Sequence, residues 1–284
     1  MCGIAGWITV KRGVESERVL RRMTDSIAHR GLDDEGFFIE SFHGDEYEVA
    51  LGHRRLSIID LGGGHQPMLD QKTGNIIVFN GEIYNFKQLR TELIEFGSEF
   101  QSNSDTEVIL HAYRHWGHQC VERFRGMFGF ALWDKHKKEL FIARDHFGKK
   151  PLFLTEQQGT LIFASEIKAI LQYPRVSAQV NMNGLWDYFA YRYVPAPATL
   201  FQGIRKLLPG NYVVWKDGNL TEKQYYYPPD KFIAKNNVAS SLDPVAEFSR
   251  ILDEAVELRM ISDVPFGAFL SGGIDSSAIV ALMS

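Results

Sequence analysis

The first two hundred or so residues alternate pairs of short apolar runs with segments of helical spacing, and no single strand-helix unit repeats. This pattern limits the fold more than any other feature. Paired runs joined by tight turns build antiparallel sheets, whereas parallel sheets need a crossover helix between successive strands. Residues 3–10 are short, apolar and rich in Ile, Trp and Val, as a buried strand requires. Residues 47–52 and 75–79 read the same way, and 126–133 with 140–145 form a hairpin pattern around a charged turn that 152–155 and 160–164 continue. Helical spacing places Val19, Leu20, Met23 and Ile27 on one face, with an end near Arg30, and it returns at Leu89, Leu93 and Phe96. Ser104 before Val108, Ile109 and Ala112 is an N-cap, with Glu107 completing a capping box. The expected class is α+β, with antiparallel sheets covered by helices.

With 284 residues, 45% of them hydrophobic, the chain can bury one large core or two ordinary ones. A net charge of -4 with both signs interspersed supplies no basic field for nucleic acid and no polybasic membrane anchor. No apolar run approaches the roughly 20 residues of a bilayer span, and no secretory leader pattern is present. Small molecules are therefore the expected partners and the cytoplasm the expected location. Two cysteines are too few for a disulfide framework, and Cys120, beside Val121 and Phe124, reads as core.

Cys2 stands apart, followed by the small residues of Gly3-Ile4-Ala5-Gly6, which leave its thiol uncovered. With Met1 removed, Cys2 would carry a thiol (ordinary pKa about 8.5) and a free α-amine (about 7.7–8.0) on one carbon, so nucleophile and base arrive together. Taken alone, the position favours reading Cys2 as a small buried hydrophobe. Arg54 and Arg55 open an otherwise apolar run, where an arginine fork can face a carboxylate or make an ordinary surface ion pair. Three consecutive glycines from Gly62 suggest a loop over a site. Asn80-Gly81 has two readings: a two-residue hairpin turn, or a side-chain amide and a backbone N–H converging as an oxyanion hole. Asp105 would sit in the first turn of the helix capped by Ser104, where an acid complements the helix dipole.

After Tyr227-Pro228-Pro229 the composition turns polar through Asp243, a linker pattern. Val245, Phe248, Leu252, Ala255 and Val256 then share a helical face. Residues 265–270 read as a strand entering Ser271-Gly272-Gly273-Ile274-Asp275-Ser276-Ser277, with a helix from about Asp275. A strand, a Gly-rich turn and a helix start together suit a phosphate, although no Lys follows as in a Walker loop.

Taken in order, Met1-Cys2-Gly3-Ile4, His29-Arg30-Gly31, Arg55-Leu56-Ser57-Ile58, Asn80-Gly81-Glu82-Ile83-Tyr84-Asn85, Ser104-Asp105-Thr106-Glu107, Gly148-Lys149-Lys150-Pro151-Leu152 and the Ser271 loop resemble the class II glutamine amidotransferases, most closely the asparagine synthetases of the glutamine-hydrolysing type. The resemblance implies an N-terminal-nucleophile domain of four αββα layers over 1–229, a linker at 230–243, and from 244 the beginning of an α/β ATP-pyrophosphatase domain with its PP-loop. It makes Cys2 the nucleophile on the glutamine amide, with Asn80 and Gly81 receiving the oxyanion. Arg55 would bind the substrate α-carboxylate, Leu56, Ser57, Ile58 and Ile59 would wall the pocket, and Glu82 and Asp105 would hold the α-amino end. Leu270, Ser271, Gly272, Gly273, Asp275 and Ser276 match nucleotide-binding positions. ATP with Mg²⁺ would activate the carboxylate of aspartate, or of another acceptor such as a sugar acid or peptide precursor, for attack by ammonia. No metal ligand is assigned, glutamine hydrolysis itself needs no cofactor, and a homodimer is left open. A non-catalytic glutamine-binding module is the alternative of a different class. Leu32 departs from the Pro usual after His-Arg-Gly, and the end at Ser284 leaves the expected synthetase domain a fragment.

Overall fold

The computed structural model describes residues 1–10, 15–41, 47–229 and 243–284. One six-stranded sheet has the order β10 (Arg205–Lys206), β8 (Phe153–Gln157), β9 (Thr160–Ala164), β1 (Gly3–Thr9), β3 (Glu48–Arg55), β2 (Asp34–Ser41). The other, also six-stranded, runs β12 (Asn219–Gln224), β11 (Asn211–Lys216), β7 (Glu139–Arg144), β6 (Gly126–Asp134), β5 (Ile76–Ile83), β4 (Met68–Leu69). Every pairing is antiparallel.

Alternation along each strand divides the apolar residues between two layers. Ile4 and Ile8 of β1 meet Val78, Trp133, Ile142 and Trp215 in the core between the sheets. Ala5 and Trp7 face outward, onto Leu20, Met23 and Ile27 of and beyond α1 (Ser16–Asp25) and Ala169 and Ile170 of α4 (Ile167–Ile170). On the far side, α2 (Phe86–Glu95) and α3 (Asp105–Trp116) set Leu89, Leu93, Val108 and Ile109 against Phe79, Phe130 and Phe141. The result is helix, sheet, sheet, helix. Cys120 lies in the outer core next to α3, as expected.

Several expectations are revised. β8 and β9 do not extend the β6–β7 hairpin but belong to the opposite sheet, where β9 pairs with β1. The crossing is built by a turn: Asp145 accepts the backbone N–H groups of Phe147, Lys149 and Lys150 at 3.0–3.1 Å, and Arg144 donates to the carbonyls of Gly148, Lys150 and Leu207. β2 carries no clean apolar run because it is an edge strand paired only to β3, where charged side chains are tolerated. The sequence reading assigns no element to residues 165–224, which hold α4, α5 (Met182–Tyr191) and β10 to β12.

Asp243 caps α6 (Pro244–Glu257) by accepting Val245 N–H at 3.0 Å. The rest of the expected linker lies outside the described residues. Only Val256 of the expected α6 face is buried, whereas Val245 and Phe248 are exposed. Residues 265–270 form no strand, since their backbone finds no sheet partner among the described residues. α7 (Ile274–Leu282) starts where the sequence places it. No helix among the described residues is long and apolar enough to cross a membrane.

Candidate active site

Cys2 enters the site because β1 is held on both sides, by β3 and β9, and its first residue faces the end of β3. Its Sγ lies 3.4 Å from Leu56 N and 3.6 Å from Leu56 O. The Cys2 carbonyl accepts Arg30 Nε at 2.9 Å, and Arg30 Nη1 is tied to Glu166 at 2.9 Å. Gly31 is required next: a Cβ there would stand 2.5 Å from the Arg54 and Arg55 backbone. Burial pushes the Cys2 thiol up, while the Leu56 backbone, the N-terminal ammonium, Lys150 and Arg55 pull it down. Burial lowers the N-terminal amine.

The thiol opens on a cavity of about 170 Å³ whose lining includes Arg55, Leu56, Ile58, Ile59, Asn80, Gly81, Glu82 and Asp105, together with Gln66, Met127 and Lys150. Ser57 is the exception among the expected pocket residues. It does not line the cavity, and its N–H donates to Asp33 Oδ2 at 2.7 Å. Asn80-Gly81 forms no hairpin turn; it lies within β5, opposite Gly129 and Phe128 of β6. A Cβ on Gly81 would come within 2.2 Å of the Met127 carbonyl, so the neighbouring strand itself demands glycine there. The residue before Asn80 is fixed from two directions. Phe79 N–H donates to Gln66 Oε1 at 2.6 Å, and Phe79 O lies 3.0 Å from His53 Nε2. Burial lowers His53 to about 4, so at neutral pH its ring is uncharged and Nε2–H is the donor. Asn80 itself is buried beside Cys2 with neither amide atom hydrogen-bonded. A buried amide with both ends unpaired is costly unless something else comes to meet it.

Arg55 is buried and holds the cavity loop, donating to Leu61 O at 3.2 Å, Ile59 O at 3.2 Å and Asp60 O at 2.6 Å. Three of the five guanidinium N–H donors are thus engaged. Asp105 accepts Ile83 N–H at 3.0 Å, and burial, reinforced by the Glu82 charge, pushes its carboxyl up to about 7. Burial raises Glu82 as well, against the opposing Lys150 charge, and it lowers the Lys150 ammonium.

At the other end of the chain, Ser271 Oγ and Ser276 Oγ are 2.9 Å apart, and Gly272 takes a φ of 78°. A Cβ on Gly272 would meet nothing within 4 Å, and α7 has no side-chain cap on its N-terminus. The loop therefore has room and free amide donors for a phosphate. Leu270 is exposed, and Gly273 and Asp275 flank the helix start. A larger cavity of about 530 Å³, lined by residues including Asp70, Glu107, His111 and Arg114, contains none of the expected site residues.

Residues 1–226 match the glutamine amidotransferase domain. The chain belongs to that family. Residues 247–284 of this amidotransferase match asparagine synthase. Asparagine synthetase [glutamine-hydrolyzing] 3 of Bacillus subtilis (strain 168) is 39% identical to it, over 99% of this chain and 45% of its own length. A putative asparagine synthetase [glutamine-hydrolyzing] 2 of Methanocaldococcus jannaschii is 37% identical, over 100% of this chain and 57% of its own length. The chain thus spans about half the length of the curated relatives it matches. The solved glutamine phosphoribosylpyrophosphate amidotransferase from B. subtilis superposes with a TM-score of 0.57 at 20% identity, over 80% of this chain and 50% of that one, a likeness of fold.

Sequence reasoning about this amidotransferase missed Lys150, Gln66 and Met127 as cavity residues. For Lys150 a signal existed in the Gly148-Lys149-Lys150-Pro151 motif, whose second lysine is buried. Gln66 and Met127 gave none, because only the packing of β5 against its neighbours brings them to the site.

Proposed function

We propose that this domain hydrolyses glutamine to glutamate and ammonia, and that the whole protein is a glutamine-dependent asparagine synthetase. The unpaired, buried amide of Asn80 in the same cavity as Cys2 carries the reading. In this scheme, removal of Met1 frees the Cys2 α-amine, which takes the thiol proton as Sγ attacks the substrate δ-carbonyl carbon. The C–S bond forms and the carbonyl oxygen becomes an oxyanion, received by Asn80 Nδ2–H and Gly81 N–H. The C–N bond then breaks, the nitrogen takes the proton from the α-amine, and ammonia leaves. Water attacks the remaining thioester, glutamate departs, and the thiol is restored. Arg55 meets the substrate α-carboxylate with its unengaged donors, Asp105 and Glu82 face its α-ammonium, and Leu56, Ile58 and Ile59 cover the methylenes. Lys150 adds positive charge toward the developing thiolate.

Residues 1–229 form the glutaminase domain in this scheme, 230–243 connect it, and 244–284 belong to an ATP-using domain. Ser271, Gly272, Gly273, Asp275 and Ser276 would hold ATP, taken with Mg²⁺, which activates the aspartate carboxylate by adenylation. Cytoplasmic location fits such substrates. Ammonia release from glutamine tests the first half. Cys2→Ala should abolish it, and Asn80→Ala should lower thioester formation by about 10²–10³, the loss expected for one oxyanion donor, with a smaller effect on glutamine binding. Near-wild-type thioester formation by Asn80→Ala in stopped flow would remove the oxyanion assignment. For the second half, amide-¹⁵N glutamine supplied with ATP and aspartate to the full-length protein should yield asparagine labelled in its side chain; label in a different amide would name another acceptor.

A further inference from the structure

Asp263 follows α6, within the residues that match asparagine synthase, yet it is bonded to the wall of the Cys2 cavity. Its backbone N–H donates to Ile58 O at 2.9 Å, and its Oδ2 accepts Asp60 N–H at 2.7 Å. The two bonds straddle Ile59, and both Ile58 and Ile59 line the cavity. From the opposite side Arg55 holds the carbonyls of Ile59, Asp60 and Leu61, and the Asp60 carboxylate accepts Gly63 N–H at 2.9 Å and Asn103 N–H at 2.7 Å. Residues 58–61 belong to no sheet or helix, and Asp60 takes a φ of 52°, unfavourable for a residue with a side chain. The shape of this loop therefore depends on the groups that fasten it.

We propose that Asp263 is a positioning residue for glutamine: through it, the segment that matches asparagine synthase sets the loop walling the glutamine pocket. The inference rests on the glutaminase reading. A carboxylate suits the task, since its bond to a backbone N–H is charge-assisted and stronger than a neutral one. When that bond is lost the loop samples other shapes, only a fraction of molecules present the formed pocket, and apparent affinity falls by that fraction. Chemistry at Sγ is untouched, so the loss appears in KM.

The test uses the 284-residue chain with Met1 removed, glutamine kinetics and amide hydrogen exchange. Asp263→Ala should raise KM about tenfold, the loss expected for one hydrogen bond to a charged group, with kcat within about twofold. Asp263→Asn keeps an oxygen acceptor and should restore KM to within about threefold of wild type. Glu254→Ala breaks the ion pair with Arg125, which joins the same segment to the first domain without touching the loop, and should leave KM unchanged. Exchange at the Asp60 amide should accelerate in Asp263→Ala alone. Unchanged KM and unchanged Asp60 exchange in Asp263→Ala would overturn the proposal, as would an equal KM rise in Glu254→Ala. A wild-type chain without Cys2-dependent ammonia release would overturn the glutaminase reading instead, and Asp60 exchange, which needs no turnover, would still decide whether Asp263 holds the loop.

Discussion

Asp105 has its carboxyl buried in the first turn of α3, with a pKa pushed up to about 7 by burial, and this has consequences of definite sign. A carboxyl raised in the folded state binds a proton that the unfolded chain has released, so stability falls as pH rises from about 4 to about 7. Asp105→Asn keeps an acceptor for Ile83 N–H and removes the buried charge. It should raise Tm at pH 8, with the gain fading by pH 4–5, as thermal unfolding followed across pH would show. Glutamine binding moves the other way. Ionised Asp105 attracts an α-ammonium and protonated Asp105 does not, so KM should climb below about pH 7 in the wild type, and Asp105→Asn should have a higher KM that lacks this step. Cys2, Asn80 and Asp105 were legible as candidates through the ordered set of motifs; local context alone left Cys2 a buried hydrophobe, Asn80-Gly81 a turn and Asp105 a complement to the helix dipole. The hold of Arg55 on carbonyls four to six residues ahead was not legible, since it needs the loop to turn at Asp60 with a φ of 52°; nor was the burial of Lys150, whose charged neighbours Glu82, Cys2 and Arg30 are distant in sequence.

At the scale of elements, the start of α3 departs from its expected cap. Ser104 accepts Thr106 N–H at 3.1 Å, but Glu107 does not reach back to Ser104. It accepts instead the N–H groups of Gln101 and Ser102 at 2.8 Å and the Ser102 hydroxyl at 2.6 Å. Burial alone would raise Glu107, yet hydrogen bonds from His111, Ser102 and the Gln101 backbone hold it down to about 2. Its stabilisation is therefore complete above the unfolded value and lost as pH falls toward 2. At pH 7, Glu107→Ala should cost about 3 kcal/mol in urea unfolding, against about 1 kcal/mol for Ser104→Ala, and the Glu107 deficit should shrink on acidification. The two residues were identified correctly from sequence and their bond was not. The capping box is a local pattern, and what redirected Glu107 is the path of residues 97–103 across the helix start. The same contrast holds for β5, where Asn80-Gly81 reads locally as a turn but lies in a strand whose partner, β6, begins more than forty residues later.

Across the whole molecule, the layered class was legible because alternation and helical spacing select the faces that must be covered. The order of strands was not: the Asp145 turn redirects the chain after β7, but the strand that β9 then joins, β1, lies about 150 residues earlier. The C-terminal residues present the converse case, apolar but uncovered: Phe269 is fully exposed and Ile274 nearly so. Phe269→Ser should reduce self-association in sedimentation velocity while leaving ammonia release and Tm unchanged. The position of β1 also sets a timetable for synthesis. The strand that carries Cys2 is made first, but its two neighbours are β3 and β9, and the latter ends at Ala164. At about 5–20 residues per second the ribosome takes on the order of ten seconds to supply β9. During that interval the N-terminus has no sheet to join on one side and stays open to a peptidase, so the proposed excision of Met1 need not wait for the finished fold.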